Sequence, residues 1–259
     1  MKKIIIFLLI LILSGCSTIS NEQTLIVGME LAYPPFETKN DNGEAIGVSV
    51  DIAKAFGEYL GVEVEIQNIN WTGLIPALET EKVDMVISSM TITEKRKESV
   101  SFSDPYANAY LAFLVNKSSS ITNASELNAS GKIIAVKTGS TGDFYVSANY
   151  PEATILRLDD ESAAMAEVLN ERADAFIYDQ LTIYRNVEAN NTTLKALYID
   201  NQEAENWGAA FKLDNPLRDQ FNTFLEEFKA NGGFEVITEK YLKEEKAQFD
   251  QYGFTFFFD

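Results

Sequence analysis

The sequence predicts an α/β fold, and three patterns point to it. Short apolar runs alternate with amphipathic stretches through the first part of the chain, and the same alternation starts again after residue 130. Between the two series lies a long extended stretch, residues 106–115, suited to crossing from one lobe to another. Strand–helix–strand–helix–strand order implies a parallel sheet covered by helices, with any ligand outside the carboxyl ends of the strands.

Residues 25–29 read as a short buried strand. Residues 49–60 carry Val50, Ala53, Phe56 and Leu60 at helical spacing, and Gly61 supplies a C-terminal stop. Residues 62–66 alternate as a strand, residues 73–80 form a short helix with Leu74, Ala77 and Leu78 inward, and residues 83–87 are the next strand. In the second series, residues 133–136 are a strand, 140–148 and 163–170 are helices, and 175–178 are a strand. The chain returns through residues 203–207 and closes with helices at 216–229 and 234–246.

The amino terminus reads as an export signal. Lys2 and Lys3 precede an unbroken apolar stretch from Ile4 to Leu13, too short to span a bilayer as a mature helix. Leu13-Ser14-Gly15-Cys16 resembles a lipobox, which makes Cys16 the new amino terminus and its lipidation site. Residues 1–15 are then removed and residues 16–23 form a polar tether to the outer face of the membrane, at the cell surface or in the periplasm. Cys16 is the only cysteine, so no intramolecular disulfide forms.

Composition narrows the chemistry. With 21 Lys+Arg against 39 Asp+Glu, the negative field argues against nucleic acid and anionic lipid surfaces as partners, although solubility alone also explains an acidic surface. It contains no histidine, which excludes Ser-His-Asp and Cys-His catalysis and any His-ligated metal. No cofactor or metal is called for, and a monomer is expected.

The run from Asp84 to Tyr106 carries the most specific signal. An apolar strand ends in Ser88, Ser89 and Thr91, and a helix opens about one turn before Arg96. A guanidinium and several donors thus converge at the carboxyl end of a strand, an arrangement that holds a small carboxylate.

With Tyr33-Pro-Pro-Phe-Glu37, Trp71 to Leu78, Ala135 to Thr141 and Arg172 to Asp179, this run resembles the successive motifs of the family 3 extracellular solute-binding proteins. The resemblance covers essentially the whole mature chain, in order. It implies a two-lobed clamp of the type II periplasmic-binding-protein kind, without enzymatic activity, that hands a polar amino acid to the transmembrane subunits of an ABC permease. Residues 24–105 and 208–259 would form the first lobe, 111–202 the second, and 106–110 with 203–207 the hinge strands. The final Phe254-Thr-Phe-Phe-Phe-Asp259 lies past the usual ending of the family, as either a packed tail or an exposed sticky segment.

Residue by residue, the resemblance assigns Arg96 to the ligand carboxylate, with Thr91, Ser89 and the Ser88–Met90 turn beside it. Ser140 and Thr141 face the same group from the start of a helix, although capping alone would also explain them. Asp179 is matched to the ammonium acceptor, with a helix cap as its ordinary alternative. Tyr33 and Trp71 would wall the aliphatic part of the ligand, and Tyr178, next to Asp179, is counted among the ligand-binding residues. Glu30 and the Ser88–Ser89 pair favour a ligand with distal positive charge or amide donors, whereas Lys137 opposes a guanidinium unless Glu30 neutralises it. At about 4 Å and an effective dielectric near 20, one such charge is worth roughly 4 kcal/mol, so the two nearly cancel. Arginine, lysine and glutamine remain open. Two other readings stand beside this one: an exported dehydratase acting on prephenate or arogenate, for which the matched motifs show no spare acid, and a sensory lipoprotein with another partner.

Overall fold

Two five-stranded sheets build a two-lobed clamp in the computed structural model, which describes residues 24–259. The expected signal segment, Cys16 and the tether lie outside the described residues. In the first sheet the strands run in the order Glu63–Asn68, Thr24–Met29, Met85–Val86, Ala210–Lys212 and Val100–Phe102. The first three are mutually parallel, as strand–helix–strand order dictates. The other two pair antiparallel, because Ala210–Lys212 returns from the hinge and enters between Val86 and Phe102 in the opposite direction. The three strands of the predicted series are thus parallel as expected, and the two added strands make the sheet mixed.

The second sheet repeats the plan. Thr154–Leu158, Ile133–Lys137 and Ala175–Asp179 are parallel, and Leu111–Asn116 and Leu194–Tyr198 complete the sheet antiparallel. Leu111–Asn116 is covered on both faces, which is why it reads as a continuous apolar run.

Pleating sorts the first strand between two cores. Leu25, Val27 and Met29 meet the helix Val48–Leu60, while Ile26 joins Leu74 and Leu78 on the opposite face. That helix buries Val48, Ile52, Ala53 and Phe56, and Gly61 ends it at φ 71°, a left-handed conformation that suits glycine. Phe56 meets Phe221 and Phe224 of the helix Leu217–Ala230 at ring distances of 5.0 and 5.2 Å.

Two strands link the lobes, Ala107–Ala109 and Glu205–Trp207, paired antiparallel with Trp207 opposite Ala107. The expected closing helix 234–246 is instead two helices, Gly233–Tyr241 and Lys243–Tyr252. The chain bends between them at Leu242, with φ −134°, and the bend buries that side chain completely. The terminal aromatic segment is packed rather than exposed. Phe256 and Phe257 are 1% and 3% accessible, and the amide of Asn108 donates to the carbonyl of Phe257.

Candidate functional site

A cavity opens between the lobes at the carboxyl ends of their parallel strands. Arg96 is placed by a single helical turn, Glu94–Lys97, which Thr93 caps by accepting from the Arg96 amide. Neighbouring acids do not claim its guanidinium. Glu98 pairs with Lys95 and Glu94 with Lys97, leaving Arg96 buried and, among the described residues, without an ion pair. Its Nη1 donates to the carbonyl of Thr91 at 2.7 Å, and its Nη2 crosses the cleft to the carbonyl of Gly139 at 3.1 Å. The guanidinium also lies 5.0 Å over the Trp71 ring. Burial lowers its pKa to about 10, with Glu205 the foremost opposing charge.

From the second lobe, Gly139 turns the chain at φ 71°, and Ser140 caps the helix Thr141–Asn149 by accepting from the Asp143 amide. Ser140, Thr141 and Gly142 line the cavity, so the amino end of that helix faces Arg96's side of it. Asp179 ends the strand Ala175–Asp179 and performs two tasks at once. Its Oδ1 caps the next helix, accepting from the amides of Leu181 at 3.0 Å and Thr182 at 3.1 Å. Its Oδ2 is buried without a hydrogen-bond partner among the described residues. Burial raises its pKa above the ordinary aspartate value, opposed first by the neighbouring Tyr33 hydroxyl and then by Thr182 and the Leu181 amide.

Tyr33, Trp71 and Tyr178 wall the cavity. Tyr33 meets Tyr178 edge-on at 5.8 Å, and Trp71 donates its indole N–H across the cleft to the Gly139 carbonyl at 3.2 Å. Glu30 lines the cavity and forms an ion pair with Lys137 from the other lobe. The other Glu30 oxygen accepts from the Trp71 amide at 3.0 Å. Lys137 is buried beneath the lining, fixed by Glu30 and 5.6 Å from the Trp71 ring centre.

Several placements differ from expectation. Met90 does not reach the cavity: it is 1% accessible and packs in the apolar cluster with Leu74, Val100 and Phe102. Ser88 and Ser89 line the cavity, yet their hydroxyls are committed to Glu37, at 3.4 and 3.1 Å, together with Ser49 at 2.6 Å. Ser89 adopts φ 47°, a strained turn for a residue with a side chain. Glu37 is a cavity acid that sequence reasoning did not count. It is 1% accessible, and burial pushes its pKa up to about 8 despite the three serine hydroxyls. Glu161 lies nearby, raised to about 7 by burial and then by Asp179. Glu205 and Trp207, from the second hinge strand, also line the cavity and were missed. The one available signal was their place in the returning stretch at 203–207.

The chain matches the family model of bacterial extracellular solute-binding proteins, family 3, over residues 25–244. It is 31% identical over 245 residues to the L-arginine-binding protein of Pseudomonas aeruginosa, covering 91% of this chain and 92% of that one. Among solved structures, the arginine-, lysine-, histidine-binding protein ArtJ of Geobacillus stearothermophilus is 30% identical, with a TM-score of 0.79 and coverage of 85% and 96%. The ancestral amino acid-binding protein AncCDT-1, a precursor of cyclohexadienyl dehydratase, is 34% identical, with a TM-score of 0.77 and coverage of 84% and 94%.

Proposed function

The chain belongs to family 3 of the bacterial extracellular solute-binding proteins, and from that membership we propose that it captures a polar or basic L-amino acid between its lobes. The ligand is of the arginine, lysine or glutamine type and passes to the transmembrane subunits of an ABC permease. In this reading the protein works outside the cytoplasmic membrane, held there by acyl chains on Cys16.

One observation carries the proposal: Arg96 and Asp179 line the same interlobe cavity, each with unused capacity. Among the described residues Arg96 has no carboxylate ion pair and Asp179 has a buried, unbonded oxygen, so a zwitterion supplies what each lacks. The amino end of the helix Thr141–Asn149 favours the ligand's anionic group from the second lobe. One ligand group then touches both lobes, and binding shifts the hinge toward closure. Glu30 and Lys137 neutralise each other, so neither charge excludes a cationic or an amide side chain.

Calorimetry and thermal shift against the standard amino acids test this reading. L-arginine, L-lysine or L-glutamine should give the largest stabilisation. Preference for aspartate or glutamate over every cationic and amide ligand would reverse the reading of Glu30. The dehydratase alternative is checked by incubating the protein with prephenate, where formation of phenylpyruvate would replace binding by catalysis. Glu37 is a protonated cavity acid of the kind such chemistry needs, but its carboxyl already accepts from three serine hydroxyls.

A further inference from the structure

Glu205 stands on the hinge strand Glu205–Trp207, and its Oε2 accepts from Thr141 Oγ1 at 2.7 Å and from Thr91 Oγ1 at 3.1 Å. Those hydroxyls belong to opposite lobes. They are also the two side-chain donors that, with Arg96, offer a place to a ligand's carboxylate. A hydroxyl has a single proton to donate, so each threonine can serve Glu205 or the ligand through its side chain, but not both.

The charges around Glu205 sharpen this conflict. Arg96 faces it from the turn Glu94–Lys97, Asp179 faces it from the end of the strand Ala175–Asp179, and Tyr178 lies beside Arg96. A ligand carboxylate arriving between Arg96 and the two threonines becomes a second anion next to Glu205, in a site largely screened from water. Like charges at such separation disfavour one another's ionised forms. We propose that Glu205 competes with the ligand's α-carboxylate for Thr91 and Thr141, so that capture is coupled to uptake of a proton at Glu205. Protonated, Glu205 turns from competitor into donor and remains in place between the lobes. Burial already raises its pKa, opposed by the Thr141 and Thr91 hydroxyls and by Arg96. A ligand that withdraws those hydroxyls and offsets Arg96 removes all of that opposition.

The inference rests on the amino-acid reading above and assigns to this hinge carboxylate a role in both affinity and pH response. The test titrates L-arginine into the parent protein and into Glu205→Gln by calorimetry between pH 5.5 and 8.5, in buffers of different ionisation enthalpy. Glutamine keeps the side-chain shape and an acceptor oxygen but has neither the charge nor the titration. The parent should bind more tightly as pH falls and take up protons on binding. The variant should bind about fivefold or more tightly than the parent at pH 8, with that proton uptake diminished, even if its own melting temperature is lower. A carboxylate that merely braced the hinge would give weaker binding on removal and leave proton uptake as it was. Equal or weaker binding by the variant, or undiminished uptake, overturns the inference alone. If the glutamine variant does not fold, Glu205→Ala is read by the same criteria. If the parent binds none of L-arginine, L-lysine or L-glutamine at any pH, the amino-acid reading falls and this inference with it.

Discussion

Two sets of contacts join the lobes, and they differ in kind. Those around the cavity are polar: Glu30 with Lys137, Trp71 and Arg96 with the Gly139 carbonyl, and Thr91 with Thr141 through Glu205. Those made by the C-terminal segment are largely apolar. Phe257 stacks on Phe249 and meets Phe36 of its own lobe and Trp207 of the hinge, while Phe254, 5.2 Å from Tyr198, and Glu245, paired with Arg185, reach the second lobe. A polar bond can be traded for one to a ligand at little net cost, whereas buried aromatic area has no substitute in water. The cavity set is therefore the one a ligand rearranges, and the C-terminal set fixes the hinge on which rearrangement occurs.

The comparison breaks most easily at Phe257. Truncating a buried phenylalanine costs about 3–5 kcal/mol, so Phe257→Ala should lower the melting temperature by about 10 °C. Its folded fraction should bind ligand with far less loss than a cavity variant shows. Loss of ligand affinity larger than the loss of stability would merge the two sets into one. Arg96→Ala is the converse case. It strips a buried carboxylate of a charge-assisted partner worth about 1.5–3 kcal/mol, so calorimetry should show affinity at least tenfold lower with a nearly parental melting temperature. Unchanged affinity would remove Arg96 from the carboxylate role.

How much of this was legible depends on where each residue's partners sit in the chain. Strands buried on both faces, such as Ala175–Asp179, announce themselves as apolar runs; Asp179 ends that strand and Arg96 follows the buried strand Met85–Val86, each within an ordered motif. The edge strand Thr154–Leu158 is only partly buried and carries Arg157, so it lacks that signal. Residues 106–115 read as one extended crossing because the break between the hinge strand and Leu111–Asn116 falls at the single residue Tyr110. Glu205 was not visible because its partners Thr91 and Thr141 lie 114 and 64 residues away, and a carboxylate in an acidic stretch looks like surface. Met90 misled because it sits inside the motif while its side chain packs in the apolar cluster with Leu74 and Val100 and does not line the cavity.

Beside the polar set, the buried cavity acid Glu37 should respond to pH in a way the apolar set does not. Glu37 has its pKa raised to about 8 from an ordinary value of 4.5, so the folded state holds a proton that the unfolded chain has released. Stability is therefore full below about pH 4.5 as far as this group is concerned. It falls as pH rises toward 8, by up to about 1.4 kcal/mol per unit, and levels off above that. Denaturant titrations of Glu37→Gln between pH 5 and 8 should show a shallower decline than the parent. Parallel pH profiles would mean that the serine hydroxyls hold Glu37 ionised.

The smallest effect is expected where the two sets come closest in character, at Arg185. Its guanidinium pairs with Glu245 and donates from Nη1 to the Pro34 carbonyl at 3.1 Å, linking the helix Gln180–Ala189 to both ends of the first lobe. The side chain is 35% accessible, so solvent screens the pair and its worth falls toward that of a surface ion pair, at most about 1 kcal/mol. Arg185→Ala should change ligand affinity no more than about threefold, and high salt should reduce even that difference. A tenfold loss at Arg185 would mean that the C-terminal segment actively holds the lobes together in the bound form. The aromatic contacts would then act as part of the clamp, and the division between a set that moves and a set that anchors would have to be redrawn around Glu245.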